Sequence, residues 1–127
     1  MIKFAINKLI RDKIPSLIGE WQYRVLADAE FKDALFNKLE EEAAELKSAT
    51  QAENITQELA DVLEVLRSIA DVHHIDWQDV LAAQENKKAQ KGGFNQRVFG
   101  TVVAYDPEHP IVEKMRGEGR YQELSVG

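Results

Sequence analysis

The sequence holds 127 residues, one domain's worth, of which 44% are hydrophobic and 30% charged, a balance that permits a buried core and excludes a disordered chain. It contains no cysteine, so disulfides and thiolate metal sites are excluded. A formal net charge of −6 disfavours a dedicated nucleic-acid binder, which needs a basic face against phosphate.

The first eleven residues carry Lys3, Lys8 and Arg11 and lack the apolar centre and cleavage site of a secretory signal. No run approaches membrane-spanning length, so a cytoplasmic protein with no membrane partner is expected. Residues 1–27 read as an irregular head, in which Pro15 pushes Ile14 away from helical angles. A short helical turn is expected over residues 16–21, and residues 22–26 read as a brief extended segment. From about Glu30 the pattern turns helical, with Phe31, Leu35, Leu39, Ala43 and Leu46 recurring every three or four residues. Asp28 is the expected N-cap and Ser48 the approximate end.

A second helix, capped by Asn54, carries Ile55, Leu59, Val62, Leu66 and Ile69 as its buried stripe and ends near His73 or His74. Leu63 and Val65 widen its apolar surface, which implies cover on more than one side. Asp76 caps a third helix with Asp79 in its first turn. Trp77, Val80 and Leu81 form its inner face, and Gly92-Gly93 stop it. Beyond that, residues 98–105 have β propensity interrupted by Gly100. Pro107 and Pro110 break the chain, and residues 112–116 suit one helical turn. The whole reads as a single all-α domain, 1–127, with a helical core at about 28–93 and irregular ends.

Residues three apart share a helix face, with Cβ atoms about 5–6 Å apart. Glu42 with Glu45, and Glu58 with Asp61, therefore form two carboxylate pairs. Residues 46–57 suffice to finish one helix, turn, and start the next antiparallel to it, so the pairs can meet across a hairpin. Each pair flanks the apolar stripe of its helix. Four carboxylates converging there are unfavourable unless a cation compensates, and an all-oxygen site suits Mg²⁺ or Mn²⁺. On spacing alone, a divalent-cation site and two solvated acidic faces both stay open. Asp71-x-x-His74 has ligand spacing too, but neither acidic motif continues to the Glu-x-x-His of a di-iron bundle.

In order along the chain, Glu41-Glu42-x-x-Glu45 followed by Glu58-x-x-Asp61 resembles the signature of the MazG-like, all-α nucleoside triphosphate pyrophosphohydrolase superfamily. That group also includes phosphoribosyl-ATP pyrophosphohydrolases and dimeric dUTPases. The opening Lys8-Leu9-Ile10-Arg11-Asp12-Lys13-Ile14-Pro15 resembles the start of one branch. Lys87-Lys88-Ala89-Gln90-Lys91-Gly92-Gly93-Phe94 resembles the lysine-then-glycine element after its last bundle helix. Together these matches cover about residues 8–98.

The resemblance implies a MazG-like helical bundle and hydrolysis between the α- and β-phosphates of a nucleotide, giving a monophosphate and pyrophosphate. It implies Mg²⁺ held by Glu42, Glu45, Glu58 and Asp61, beside which a water is activated. Glu41 is the candidate to orient that water or act as base, although it points about 100° around the helix from Glu42. Lys87, Lys91 and Arg97, with Arg11 and Lys13 from the head, are candidates to hold the polyphosphate. Lys38 suits the site or an intrahelical pair with Glu42. Each of these cations is also readable as a solvated surface charge. Phosphoribosyl-ATP is an alternative substrate, against which the opening element argues weakly. A non-catalytic module for oligomerisation or nucleotide sensing is the alternative from another class. Three helices are a thin core for the wide apolar surface of 55–72, so a homodimer or homotetramer is expected.

Overall fold

Long runs of good helix formers set the architecture: Lys38 to Glu45 is Lys-Leu-Glu-Glu-Glu-Ala-Ala-Glu, free of glycine, proline and β-branched residues. In a computed structural model, which describes residues 1–125, the chain forms α1 (Ile14–Leu17), α2 (Asp28–Ser48), α3 (Ala52–Val72), α4 (Trp77–Lys91) and α5 (Ile111–Glu118). The described residues contain no strand. The fold is all-α, as the periodicity predicts. None of the helices is long and apolar enough to cross a membrane. Two compact units divide the chain, Met1–Lys91 and a second beginning at Gly92.

In the first unit, α2 and α3 pack along their lengths and α4 touches α3. The link 49–51 is too short for anything but an antiparallel return. Leu35 of α2 and Val65 and Ala70 of α3 are the buried apolar side chains of this unit. Phe31, Leu39 and Leu46 of α2 and Ile55, Val62 and Ile69 of α3 are half-buried around them. Three expected stripe residues behave otherwise: Ala43, Leu59 and Leu66 are exposed. With Leu63, the two leucines form an outer face of α3 that the first unit leaves about half uncovered. The stripe is wider than one neighbouring helix can bury.

Helix ends depart from the expected caps by one or two residues. Asp28 is the first helical residue and Ala27 holds the cap position, so Asp28 acts on the helix dipole together with Glu30. α3 starts at Ala52 with Gln51 before it, because Ala52 and Glu53 extend the helix beyond Asn54. Asp76 is a true cap: the Gln78 N–H donates to Asp76 Oδ1 at 2.9 Å. Between α3 and α4, His74 takes φ +57°. The Ile75 N–H donates to the Ala70 carbonyl and the His74 N–H to that of Asp71, a Schellman closure with a non-glycine in the left-handed position. Gly92, at φ +85°, ends α4 as expected.

The head and tail correct the reading most. Ile14 is helical and Pro15 sits in the first turn, where its missing N–H leaves no bond unmade. The turn therefore runs Ile14–Leu17 rather than over residues 16–21. Residues 22–26 and 98–105 form no strand. In the second unit Val98, Phe99, Val102 and Val103 are exposed; β propensity needs a neighbouring strand to receive the backbone groups. α5 is two turns, longer than expected, started after Pro110 and stopped by Gly119 at φ +68°.

Candidate metal centre

The antiparallel return brings the middle of α2 against the first half of α3. One carboxylate oxygen from each of Glu42, Glu58 and Asp61 lies within 4.8 Å of the other two. Glu42 is only 7% exposed, and Glu58 and Asp61 are half-buried. Oε2 of Glu42 and Oε2 of Glu58 are both buried without a hydrogen-bond partner. An unpartnered buried carboxylate oxygen is costly, and two facing a third acid form an oxygen-only donor set suited to a hard divalent cation.

Glu45 lies one turn along α2 and is exposed, outside that tight set of three. Its charge nevertheless acts on the set. Burial first, and then the neighbouring Glu45 carboxylate, push the Glu42 pKa up; Asp61 adds to this and Lys38 opposes it. Lys38 is largely shielded from solvent, with Nζ 3.4 Å from Glu42 Oε1 and 3.4 Å from Glu41 Oε2. It is therefore both an intrahelical partner and a neighbour of the centre.

Cations from the head reach the same place. Arg11 Nη2 donates to Asp61 Oδ1 at 2.8 Å, and Lys8 Nζ donates to Glu41 Oε1 at 2.6 Å. Glu41 is turned away from the carboxylate set, and the Lys8 hydrogen bond above all, with help from Lys38, holds its pKa below the ordinary range. Lys8 is not among the residues that the sequence reading assigns to the site. Its signal is its place three residues before Arg11 in the charged opening Lys8-Leu9-Ile10-Arg11-Asp12-Lys13. The remaining basic candidates are not gathered in. Lys13 lies at the start of α1, and Lys87 and Lys91 lie on exposed turns of α4; among the described residues none of the three forms an ion pair. Arg97 belongs to the second unit, with φ +58°.

Beside the carboxylates, a cleft of about 380 Å³ is lined by Ala44, Glu45, Ser48, Ala49, Asn54 and Glu58. Small side chains from the end of α2 leave it open, and the displaced start of α3 puts Asn54 within the helix at its wall. The Ser48 hydroxyl donates to the Ala44 carbonyl at 3.0 Å, which leaves the Asn54 amide as the uncommitted neutral polar group there.

No curated protein and no solved structure matches the chain. A protein-family model does, over residues 6–88, a span holding all five acids of the two motifs together with Lys8, Arg11, Lys38 and Lys87. That model describes phosphoribosyl-ATP pyrophosphohydrolase, and the chain belongs to this family, in keeping with the MazG-like resemblance of its acidic motifs.

Proposed function

We propose that the chain hydrolyses the bond between the α- and β-phosphates of a nucleoside triphosphate, with Mg²⁺ or Mn²⁺ held by Glu42, Glu45, Glu58 and Asp61. The observation that carries this reading is the convergence of Glu42, Glu58 and Asp61, two of which hold a buried oxygen without a partner. Family membership supplies the reaction class. Water adds across the phosphorus–oxygen bond, and the products are a nucleoside monophosphate, pyrophosphate and a proton.

When bound, the cation neutralises phosphate charge and makes an adjoining water more acidic. The protein's own residues do the rest. Lys38 offsets the burial of Glu42 and favours its ionised, ligating form. Arg11, at the edge of the carboxylate set, donates to phosphate oxygens. The cleft beside Glu45 and Glu58 receives the nucleoside, with Asn54 offering a donor and an acceptor to it. Lys13, Lys87, Lys91 and Arg97 remain candidates for the outer phosphates. A carboxylate held below its ordinary pKa range by Lys8 and Lys38 is a weak proton acceptor, so we assign Glu41 no proton-transfer step.

The family match favours phosphoribosyl-ATP as a second substrate reading, because that compound gives the family its description. We further propose a homodimer or homotetramer as the working form, on the strength of the half-uncovered outer face of α3. The deciding experiment measures Mg²⁺-dependent pyrophosphate release across a panel of nucleoside triphosphates that includes phosphoribosyl-ATP. Release is expected from at least one compound, with Glu58→Gln and Asp61→Asn each lowering kcat/KM by about a hundredfold or more. Metal and nucleotide binding without release from any of them would support the sensing module instead.

A further inference from the structure

The short stretch from Lys8 to Arg11 is fastened at both ends. Its first residue is held on α2 through the Lys8–Glu41 pair at 2.6 Å, and its last on α3 through the Arg11–Asp61 pair at 2.8 Å. Between them Leu9 and Ile10 are half-buried, whereas residues 1–8 are all exposed. Asn7 takes φ +49° and turns the chain just before the first fastening. The Ile14 N–H donates to the Arg11 carbonyl at 3.0 Å, joining the last fastening to α1. Residues 8–11 therefore form a strap across the two helices that carry the acids.

The two fastenings differ in kind. Asp61 belongs to the carboxylate set, whereas Glu41 does not. Arg11 uses one guanidinium nitrogen, Nη2, on Asp61, which leaves its Nε and Nη1 available to a second acceptor. Its side chain is well exposed, and a single exposed pair of this sort holds a long side chain in place only weakly. A second tether three residues away removes much of the freedom that Arg11 would otherwise have.

We propose that Lys8 and Glu41 are positioning residues, an anchor that holds Arg11 at the rim of the carboxylates so that its remaining N–H groups meet the polyphosphate. This rests on the pyrophosphohydrolase reading above. The anchor contributes no group to the chemistry; it lowers the entropy lost when substrate is gripped.

The test compares the wild type with Lys8→Met, Glu41→Gln, the double variant and Lys8→Arg, using the triphosphate that the wild type hydrolyses best. Lys8→Met and Glu41→Gln are each expected to raise KM about three- to fivefold with kcat changed less than about twofold, the pattern of lost binding rather than lost chemistry. The double variant is expected to match the singles, because both remove one interaction, and Lys8→Arg is expected to restore the wild-type KM. A second readout needs no activity: trypsin cleavage after Arg11, followed by mass spectrometry, is expected to quicken severalfold in Glu41→Gln. Unchanged KM in both singles, additive losses in the double, or an unchanged cleavage rate would each overturn the anchor. A wild type that hydrolyses nothing would sink the functional reading alone, and the cleavage rate would still decide whether the anchor exists.

Discussion

Glu42 carries a local conflict between burial and charge. Among the described residues it is the one charged side chain that is buried, it has an oxygen with no partner, and burial and Glu45 both disfavour its ionised form. Such a residue is retained against stability, as functional groups commonly are. Glu42→Gln is therefore expected to raise the melting midpoint in EDTA by roughly 2–4 °C. The same variant is expected to lose the upward shift that Mg²⁺ gives the wild type. Thermal scans with and without the cation measure both, and a lower midpoint in EDTA would show that the carboxylate is stabilising. At this scale the acids were readable in advance, because an i,i+3 pair is a property of any helix. Which acid would be buried was not, since the pairs flank the stripe symmetrically and only packing sets Glu42 inside and Glu45 outside. Arg11 was readable from its motif. Its partner Asp61 lies on another helix, and no local pattern names such a contact.

At the scale of elements, the three long helices follow from apolar recurrence, and their ends show where that signal stops. Asp76 was identifiable as a cap because a helix-breaking turn at His73–His74 forces α4 to begin afresh. Asp28 and Asn54 are not caps: Asp28 is itself the first helical residue after an extended Ala27, and Ala52 and Glu53 start α3 before Asn54. Asp76→Ala is accordingly expected to cost about 1 kcal/mol, measurable by urea unfolding, whereas Asn54→Ala removes no cap bond and is expected to change stability by less than about 0.5 kcal/mol. Residues 98–105 teach the opposite lesson. Their valines and aromatics suit a pleated surface, but propensity reports how well a residue fits a sheet and does not supply one. Phe99, 87% exposed, shows how little of that segment's apolar area the second unit buries.

For the molecule as a whole, three buried apolar side chains are few for a first unit of this length. Leu59, Leu63 and Leu66 recur at helical spacing on the outer face of α3, and Leu63 alone is 45% exposed. Covering three leucines recovers on the order of 1 kcal/mol each from partial burial, and a twofold axis lets one such face cover its own copy. Sedimentation at micromolar concentration is expected to show a dimer or tetramer, and Leu63→Glu to shift it towards monomer with a lower melting midpoint. A wild type that sediments only as monomer would refute this. The width of the apolar surface was visible in the sequence. The geometry adds which leucines are left over after α2 has taken its share.

The short link 49–51 has one more consequence, which concerns time rather than structure. All the acids from Glu42 to Asp61 lie within one helical hairpin, so their approach closes only a small loop, among the fastest events available to a chain. Their mutual repulsion is therefore met at the outset of folding, while much of the apolar surface is still open to water. A divalent cation at the proposed site would relieve that repulsion in the transition state as well as in the finished fold, so added Mg²⁺ is expected to quicken refolding of the wild type and to leave that of Glu42→Gln unchanged, measurable by stopped-flow refolding with and without EDTA.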